Sequence, residues 1–199
     1  MDYLKRFWHF LWEEDSVYSW IANVIIAFVL IKYVIFPVLG LVLGSQFPVV
    51  AVVSSSMEHD GTFDQWWSSQ ALCGTKTCTQ EEFYKMFDIT KEEFESFKFK
   101  NGFNKGDVMV LTSAKNIKLG DTVVFLSKAN RPIIHRVVDL DPLQTKGDHN
   151  QAQIVTSEFS EKDVSAYPLI GKASLRIPFI GYVKIVFAEI LNLFGVQIQ

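Results

Sequence analysis

The sequence predicts a mainly β domain that carries an N-terminal transmembrane helix and a small α-helical insertion. Three observations lead to this fold class. Residues 17–36 are almost wholly apolar, residues 44–57 and 106–182 contain β-branched runs bounded by turn residues, and residues 58–105 contain helix-capping signals. At 199 residues with 49% hydrophobic content, one compact domain plus appended segments is expected.

The apolar stretch is long enough to cross a membrane. Twenty helical residues rise about 30 Å, which matches a hydrocarbon core. We therefore predict an interfacial cytoplasmic segment at residues 1–16 and a transmembrane helix with its exit at residues 17–43, the apolar run ending at Pro37. Lys5 and Arg6 precede this helix, whereas residues 37–75 contain no lysine or arginine. This asymmetry predicts a cytoplasmic amino terminus and an extracytoplasmic domain.

Charge and cysteine content exclude several functions. A net charge of −3 offers no broad basic surface, so nucleic acid is not an expected partner. Cys73 and Cys78 lie in a short polar loop, and we favour a disulfide over two free thiols, which requires an oxidising compartment. A zinc site would need two further ligands, and nearby only His59 and carboxylates are available, so no metal is expected.

Residues 58–105 are predicted to form a separate insertion rich in aromatic side chains. Thr79 with Glu82, and Thr90 with Glu93, each fit the capping box that begins a helix. These signals predict a small helical hairpin packed on its own aromatic residues. We expect it to act as a flap over the cleft or as a docking surface.

The β-rich segments place several polar side chains at strand ends. Residues 49–53 lead into three serines, and Gly106-Asp107 and Gly120-Asp121 each precede a β-branched run, a spacing that predicts neighbouring strands. Residues 132–138 alternate, so His135 shares a face with apolar neighbours. A histidine there is usually structural, but the later Gly147-Asp148 turn supplies a carboxylate that can orient it.

Ser56, His135 and Asp148 together are a set of residue types suited to acyl transfer. A histidine can take the serine proton and later return it to the leaving amine, while a carboxylate fixes the histidine tautomer. The order of residues along the chain does not establish that the three side chains meet.

The motifs resemble those of type I signal peptidases, in the branch of archaea and the endoplasmic reticulum that uses histidine as base. The matching segments occur in the family's order: Ser54-Ser55-Ser56-Met57, residues 117–125, residues 133–138, and Thr145-Lys146-Gly147-Asp148, followed by Gly171-Lys172 and residues 177–182. The resemblance implies the signal-peptidase-like β fold, with residues 44–57 and 106–182 as the catalytic core. It covers most of the chain except the insertion.

The resemblance also implies a role for each matching residue. Ser56 is the nucleophile, His135 the base and Asp148 its acidic partner, while the Ser54 hydroxyl and the Ser56 amide form the oxyanion hole. No cofactor is implied.

Some positions depart from the family pattern. The second aspartate of many members is replaced by Ile154, so Asp148 is expected to act alone unless Glu158, Glu161 or Asp163 substitutes in space. His59 lies two residues after Met57, where members of the family commonly have a proline. His59 and His149 are also rival candidates for the base.

By this resemblance, the expected function is removal of signal peptides from secretory preproteins at the extracytoplasmic membrane face, with cleavage after small residues. Residues 49–53 are the expected edge strand for the extended peptide. Membrane lipid and the protein-translocation machinery are the expected partners, and the endoplasmic-reticulum membrane is the expected location in a eukaryote. The alternative is a non-catalytic membrane-tethered subunit that binds translocating polypeptides.

Residues 183–199 are expected to form an apolar helix that lies at the membrane interface or packs on the core. A second membrane span is the alternative.

Overall fold

The computed structural model describes residues 2–182 and residues 185–186. The chain divides into two compact units, one ending at Leu43 and the other beginning at Gly44. The predicted C-terminal helix at residues 183–199 lies outside the described residues, apart from Ile185 and Val186, which are helical.

The N-terminal unit consists of helical segments, and residues 13–16 connect the first two. It comprises α1 (Asp2–Trp12), α2 (Val17–Leu30), a π-helical turn (Ile31–Ile35) and α3 (Phe36–Leu43). Ser16 caps α2, because its side chain accepts a hydrogen bond from the Ser19 amide at 3.1 Å. The Ser19 hydroxyl in turn donates to the Phe10 carbonyl at 2.6 Å, which joins α1 to α2.

The apolar helix continues beyond Pro37, where the sequence predicted its end. Proline lacks the amide hydrogen that would continue the helical ladder. The π-helical turn lies immediately before it, with the Phe36 amide bonded to the Ile31 carbonyl, and such a turn shifts the ladder by one residue. Among the described residues, Val17–Leu43 is the one helix long and apolar enough to cross a bilayer.

The second unit is built on a six-stranded antiparallel sheet. Its strands follow the spatial order β1-β4-β8-β5-β6-β7. They are β1 (Val49–Ala51), β4 (Val108–Thr112), β5 (Thr122–Leu126), β6 (Pro132–Leu140), β7 (Leu143–Lys146) and β8 (Leu169–Ile177). The predicted β-rich fold class is confirmed, and β1 lies at an edge of the sheet.

The two strands that follow the Gly-Asp turns are not neighbours, contrary to the sequence prediction. Strand β8 lies between them, pairing Leu175 with Val110 of β4 and Lys172 with Val123 of β5. Gly106 and Gly120 adopt φ values of 90° and 80°, a conformation that glycine adopts easily. These turns determine where each strand begins, but they do not determine its partner.

A compact apolar core supports the sheet. Its fully buried members come from the strands and from the segments around Ser56: Val52, Met57, Phe103, Met109, Leu111, Val124 and Ala173. Met57 directly follows Ser56, so the residue next to the predicted nucleophile is anchored in the core.

The insertion contains a β-hairpin and three short helices. They are α4 (Phe63–Trp67), β2 (Gln70–Cys73), β3 (Lys76–Thr79), α5 (Gln80–Lys85) and α6 (Lys91–Ser96). The predicted helices α5 and α6 are present, each capped by the expected threonine. The sequence prediction missed α4 and the hairpin, whose strands are joined by the predicted Cys73–Cys78 disulfide.

The insertion packs against the sheet as well as on itself. Its aromatic cluster contains Trp66, Trp67, Tyr84, Ile89 and Phe94 together with Val138 of β6. The aromatic packing predicted for the insertion therefore extends to the β domain, and this contact brings insertion side chains close to the residues that follow β7.

Candidate active site

Ser56 lies just after the edge strand β1 and is held by backbone contacts on both sides. The carbonyl of Ser56 accepts a hydrogen bond from the His149 amide at 2.9 Å. The carbonyl of the next residue, the buried Met57, accepts from the Phe103 amide at 3.0 Å. The nucleophile candidate thus lies on an anchored turn.

His135 points its Nε2 atom at the Ser56 hydroxyl. The distance between Nε2 and Oγ is 2.9 Å, within hydrogen-bond reach for proton transfer. Strand β6 positions the ring, since His135 pairs in register with Val123 of the central strand β5. The histidine is 3% exposed, so its orientation is set by the protein.

The carboxylate that contacts His135 belongs to Glu161. Its Oε1 atom lies 2.5 Å from His135 Nδ1, and its Oε2 atom accepts a hydrogen bond of 2.6 Å from the Ile154 amide. The Thr145 hydroxyl lies 3.3 Å from Oε1. Glu161 is fully buried, and these contacts satisfy both oxygens.

The sequence had assigned this contact to Asp148, and the structure differs. Asp148 lies in the turn beside the site, but its carboxylate faces Arg136, which approaches Oδ2 to 2.6 Å. His59 Nε2 lies 3.0 Å from Oδ2, and the Tyr84 hydroxyl donates to Oδ1 at 3.1 Å. The buried Asp148 carboxylate binds the Arg136 guanidinium because a charged, forked donor is a stronger partner than an imidazole. His135 is already bonded to the Glu161 carboxylate.

Arg136 and Asp148 form a fully buried ion pair. Burial opposes ionisation of Asp148, but the charge of Arg136 and the hydrogen bond from His59 outweigh it and hold the Asp148 pKa well below its usual range. Burial and the Asp148 charge together raise the pKa of Tyr84 well above its ordinary value. Tyr84 is therefore neutral and acts as a hydrogen-bond donor.

Neither rival histidine contacts the serine hydroxyl. His59 is buried, stacks on Trp66 with ring centroids 3.6 Å apart and bonds Asp148. His149 is partly exposed, with Nδ1 3.7 Å from Asp60. Of the three candidates, His135 alone has a ring nitrogen bonded to Ser56 among the described residues.

Ser54 lies beside the Ser56 hydroxyl. Its hydroxyl oxygen is 3.2 Å from Ser56 Oγ. The role of oxyanion donor that the resemblance implies for Ser54 stays a prediction.

Gly147 fits tightly against the site. A Cβ atom at this position would lie 2.8 Å from His135 Nε2, 2.8 Å from the Ser56 carbonyl oxygen and 2.5 Å from Asn150 Nδ2. These distances are shorter than van der Waals contact, so any side chain would displace the histidine or the serine.

Lys146 is also buried beside the turn. Its Nζ donates to Gln80 Oε1 of helix α5 at 2.9 Å and to the Gly147 carbonyl at 3.1 Å. Burial lowers the pKa of Lys146 to about 8. The lysine links the insertion to the turn and does not contact Ser56 in the described structure.

A cleft of about 400 Å³ opens beside the serine. Strand β1, the segment that follows it to Ser56, and strand β6 supply most of its wall. Apart from the catalytic candidates and from Ser127 and Arg131, the lining is apolar: Val50, Ala51, Val52, Val53, Val124, Pro132, Ile133, Ile134, Ile154 and Phe159. An extended, uncharged peptide segment fits such a lining.

Glu161 and the insertion residues around Asp148 are the site residues that sequence reasoning missed or left open. Glu161 was one of three carboxylates considered as a substitute, with no spacing to favour it. One signal was present: Ile154 stands where related sequences carry an aspartate, and its amide now binds Glu161.

No protein-family model matches the chain. Curated relatives do match it. A protein from Candida tropicalis, 32% identical over 97 residues, is named "Signal peptidase complex catalytic subunit SEC11". The relatives are signal peptidase catalytic subunits. The resemblance inferred from the motifs is thereby confirmed, at modest identity over about half of the chain.

Other relatives carry the same name. The SEC11 protein of Colletotrichum graminicola is 34% identical over 98 residues, and that of Scheffersomyces stipitis is 25% identical over 167 residues. The first two matches cover 44% of this chain and 58% and 57% of those SEC11 proteins, whereas the third covers 79% and 75%. The chain thus spans somewhat over half the length of the first two relatives.

Proposed function

We propose that this chain is a membrane-anchored serine endopeptidase that removes signal peptides from secretory preproteins, cutting after small residues. The observation that carries the proposal is the relay from Ser56 Oγ to His135 Nε2, at 2.9 Å, and from His135 Nδ1 to Glu161, at 2.5 Å. The relationship to signal peptidase catalytic subunits supports the choice of substrate class.

The proposed reaction begins with attack of Ser56 Oγ on the scissile carbonyl carbon. His135 Nε2 takes the hydroxyl proton, and Glu161 fixes the proton on Nδ1 and stabilises the imidazolium that forms. The Ser54 hydroxyl and the Ser56 amide stabilise the oxyanion.

His135 then gives its proton to the leaving amine of the mature protein. The C–N bond breaks, and the signal peptide remains as an ester on Ser56. A water molecule loses a proton to His135 and attacks the ester carbonyl. His135 returns that proton to Ser56 Oγ as the ester C–O bond breaks, which releases the signal peptide as a carboxylic acid and restores the enzyme.

The position of β1 at the edge of the sheet supports binding of the substrate as an additional β-strand. The inner side of β1 pairs with β4, as Val49 with Val110 and Ala51 with Val108, whereas its outer side has no strand partner among the described residues. An extended peptide can add to this side through main-chain hydrogen bonds. Its side chains would then enter the apolar cleft next to Ser56.

We propose that the helix Val17–Leu43 anchors the enzyme in the membrane of the endoplasmic reticulum. Lys5 and Arg6 favour a cytoplasmic amino terminus, and the Cys73–Cys78 disulfide favours an oxidising lumen for the catalytic unit. Membrane lipid is then a partner, and the translocation machinery would deliver the substrate.

Cleavage of a preprotein by the purified full-length protein in detergent tests this function. The parent should release the mature protein, whereas Ser56→Ala and His135→Ala should each lower kcat by at least about 10³-fold. If the purified parent releases no mature protein, the chain is a non-catalytic subunit that binds translocating polypeptides. If both variants cleave as well as the parent, Ser56 and His135 are not the catalytic pair. Loss with Ser56→Ala alone would move the base to His149 or His59.

Gly147→Ala provides a steric test of the same geometry. The added methyl group would push His135 or Ser56 out of alignment, and a displacement of about 1 Å is expected to lower kcat by roughly 10²-fold. Gly74→Ala is the control, because a Cβ there meets nothing within 4 Å, although its φ of 70° makes the substitution mildly destabilising. Equal kcat values for Gly147→Ala and the parent would contradict the close packing of the site.

A further inference from the structure

The insertion contacts the catalytic turn directly through Trp66. We define the catalytic turn as residues 147–150, closed by the Asn150 amide bonded to the Gly147 carbonyl at 2.9 Å. The Trp66 indole donates to the Asp148 carbonyl in this turn at 3.1 Å. Both groups are buried, so the bond is shielded from water, and an unpaired carbonyl there would be costly.

Three further side chains of the insertion bind Asp148 and Asn150 of the same turn. Tyr84 and His59 bind the Asp148 carboxylate, and Gln80 Nε2 donates to the Asn150 carbonyl at 3.2 Å. Arg136 completes the arrangement from strand β6, because its guanidinium donates to Asp148 and to the carbonyls of Lys98 and Phe99 at the end of the insertion.

The catalytic turn, in turn, holds the nucleophile. The His149 amide donates to the Ser56 carbonyl at 2.9 Å, and the Asp148 amide faces Met57 Sδ at 3.4 Å. A Cβ on Gly147 would touch both His135 and Ser56. A shift of this turn would therefore move the serine relative to its base.

We propose that the insertion is a positioning element of the active site, in which Trp66, Tyr84 and His59 act on Ser56 through Asp148 and the catalytic turn. This inference rests on the proposed function for its kinetic consequence. It replaces the expectation of a flap or docking surface with a role in aligning the nucleophile. Trp66 is a positioning residue, because its bond is to the turn and not to the substrate.

Trp67 provides a matched control for Trp66. Both indoles are 2% exposed and lie in the same aromatic cluster, and their ring centroids are 5.8 Å apart. The Trp66 Nε1 atom binds the turn, whereas Trp67 Nε1 has no hydrogen-bond partner in the described structure. Replacement of either residue by phenylalanine removes similar volume, but only one replacement removes a contact to the turn.

The kinetic experiment compares Trp66→Phe with Trp67→Phe in the full-length protein, using preprotein cleavage. Trp66→Phe should lower kcat roughly 10- to 100-fold with little change in KM, since the cleft is intact and only alignment is lost. Trp67→Phe should keep kcat within about twofold of the parent. Tyr84→Phe removes only a hydroxyl bonded to Asp148, and this variant should also have a lower kcat than the parent. Equal kcat values for the two tryptophan variants would overturn the inference.

Amide hydrogen exchange of residues 147–150 provides a readout that needs no activity. The His149 amide should exchange faster in Trp66→Phe than in Trp67→Phe when the two variants have similar thermal stability. If the His149 amide exchanges faster in Trp66→Phe than in Trp67→Phe but the parent cleaves no preprotein, the positioning role is retained and the proposed function is wrong. Equal exchange in both variants, with a parent that cleaves normally, would remove the positioning role alone.

Discussion

Replacing Glu161 with glutamine is expected to lower kcat by roughly 10³- to 10⁴-fold with KM little changed. The carboxylate holds the proton of His135 on Nδ1, which leaves Nε2 free to accept the proton of Ser56. The glutamine amide can donate to Nδ1 instead, and that contact favours the tautomer with a protonated Nε2, which cannot act as a base. Initial rates of preprotein cleavage measure the effect.

The control for Glu161→Gln is Asp163→Asn. Asp163 lies two residues away, is exposed and bonds the Ser165 amide at 3.0 Å, so this variant should cleave at the parent's rate. The matching change at Asp148 gives a second comparison, because its carboxylate does not bond His135. If Glu161→Gln is active and Asp148→Asn is inactive at a temperature where both variants are folded, the assignment reverts to Asp148.

Asp148→Asn is expected to lower the free energy of unfolding by about 3–5 kcal/mol. The substitution leaves the fully buried Arg136 guanidinium without its counter-charge. Thermal or denaturant unfolding of the purified protein measures the loss. Asp64→Asn removes a carboxylate that pairs with Lys91 on the surface, and such a pair is worth about 0–1 kcal/mol. Equal stability of the two variants would contradict the importance of the buried pair.

The same pair predicts a pH dependence of stability. Because the Asp148 pKa is lowered in the folded protein, its contribution is fully present above the unfolded-state pKa of about 4 and is lost progressively as the pH falls below that value. Asp148→Asn should therefore lose less stability than the parent between neutral and strongly acidic pH. Parallel stability curves for the two proteins would contradict this linkage.

Local sequence patterns were sufficient for the parts of the fold that local chemistry determines. The apolar run from Val17 predicted the long helix, and the capping residues Thr79 and Thr90 predicted where α5 and α6 begin. His135 was selected because its strand context matched a family motif. Each of these inferences depends on one continuous stretch of the sequence.

The missed features depend on contacts between distant parts of the chain. Glu161 reaches His135 because its backbone amide bonds the Ile154 carbonyl, and its carbonyl accepts from the Thr145 amide. The segment around Glu161 has no strand or helix periodicity from which this path could be read. Likewise, the sequence of one strand does not determine which strands pair with it, so the position of β8 between β4 and β5 could not be predicted.

Asp148 shows how a correct motif led to a wrong contact. The Gly147-Asp148 turn does lie beside Ser56 and His135, as the sequence predicted. Arg136, however, follows His135 directly on β6 and points to the opposite face of the strand, where its guanidinium binds Asp148. Sequence order placed the aspartate near the histidine, but the adjacent arginine determined its partner.

Trapping the covalent intermediate on Ser56 tests the central claim most directly. The full-length protein is mixed with preprotein, quenched in acid within the first turnover and mapped by peptide mass spectrometry. We expect the peptide containing Ser56 to gain the mass of the signal-peptide fragment minus one water, and the corresponding peptide of Ser56→Ala to gain none. Cleavage of the preprotein with an adduct on another residue, or with Ser56→Ala fully active, would contradict it.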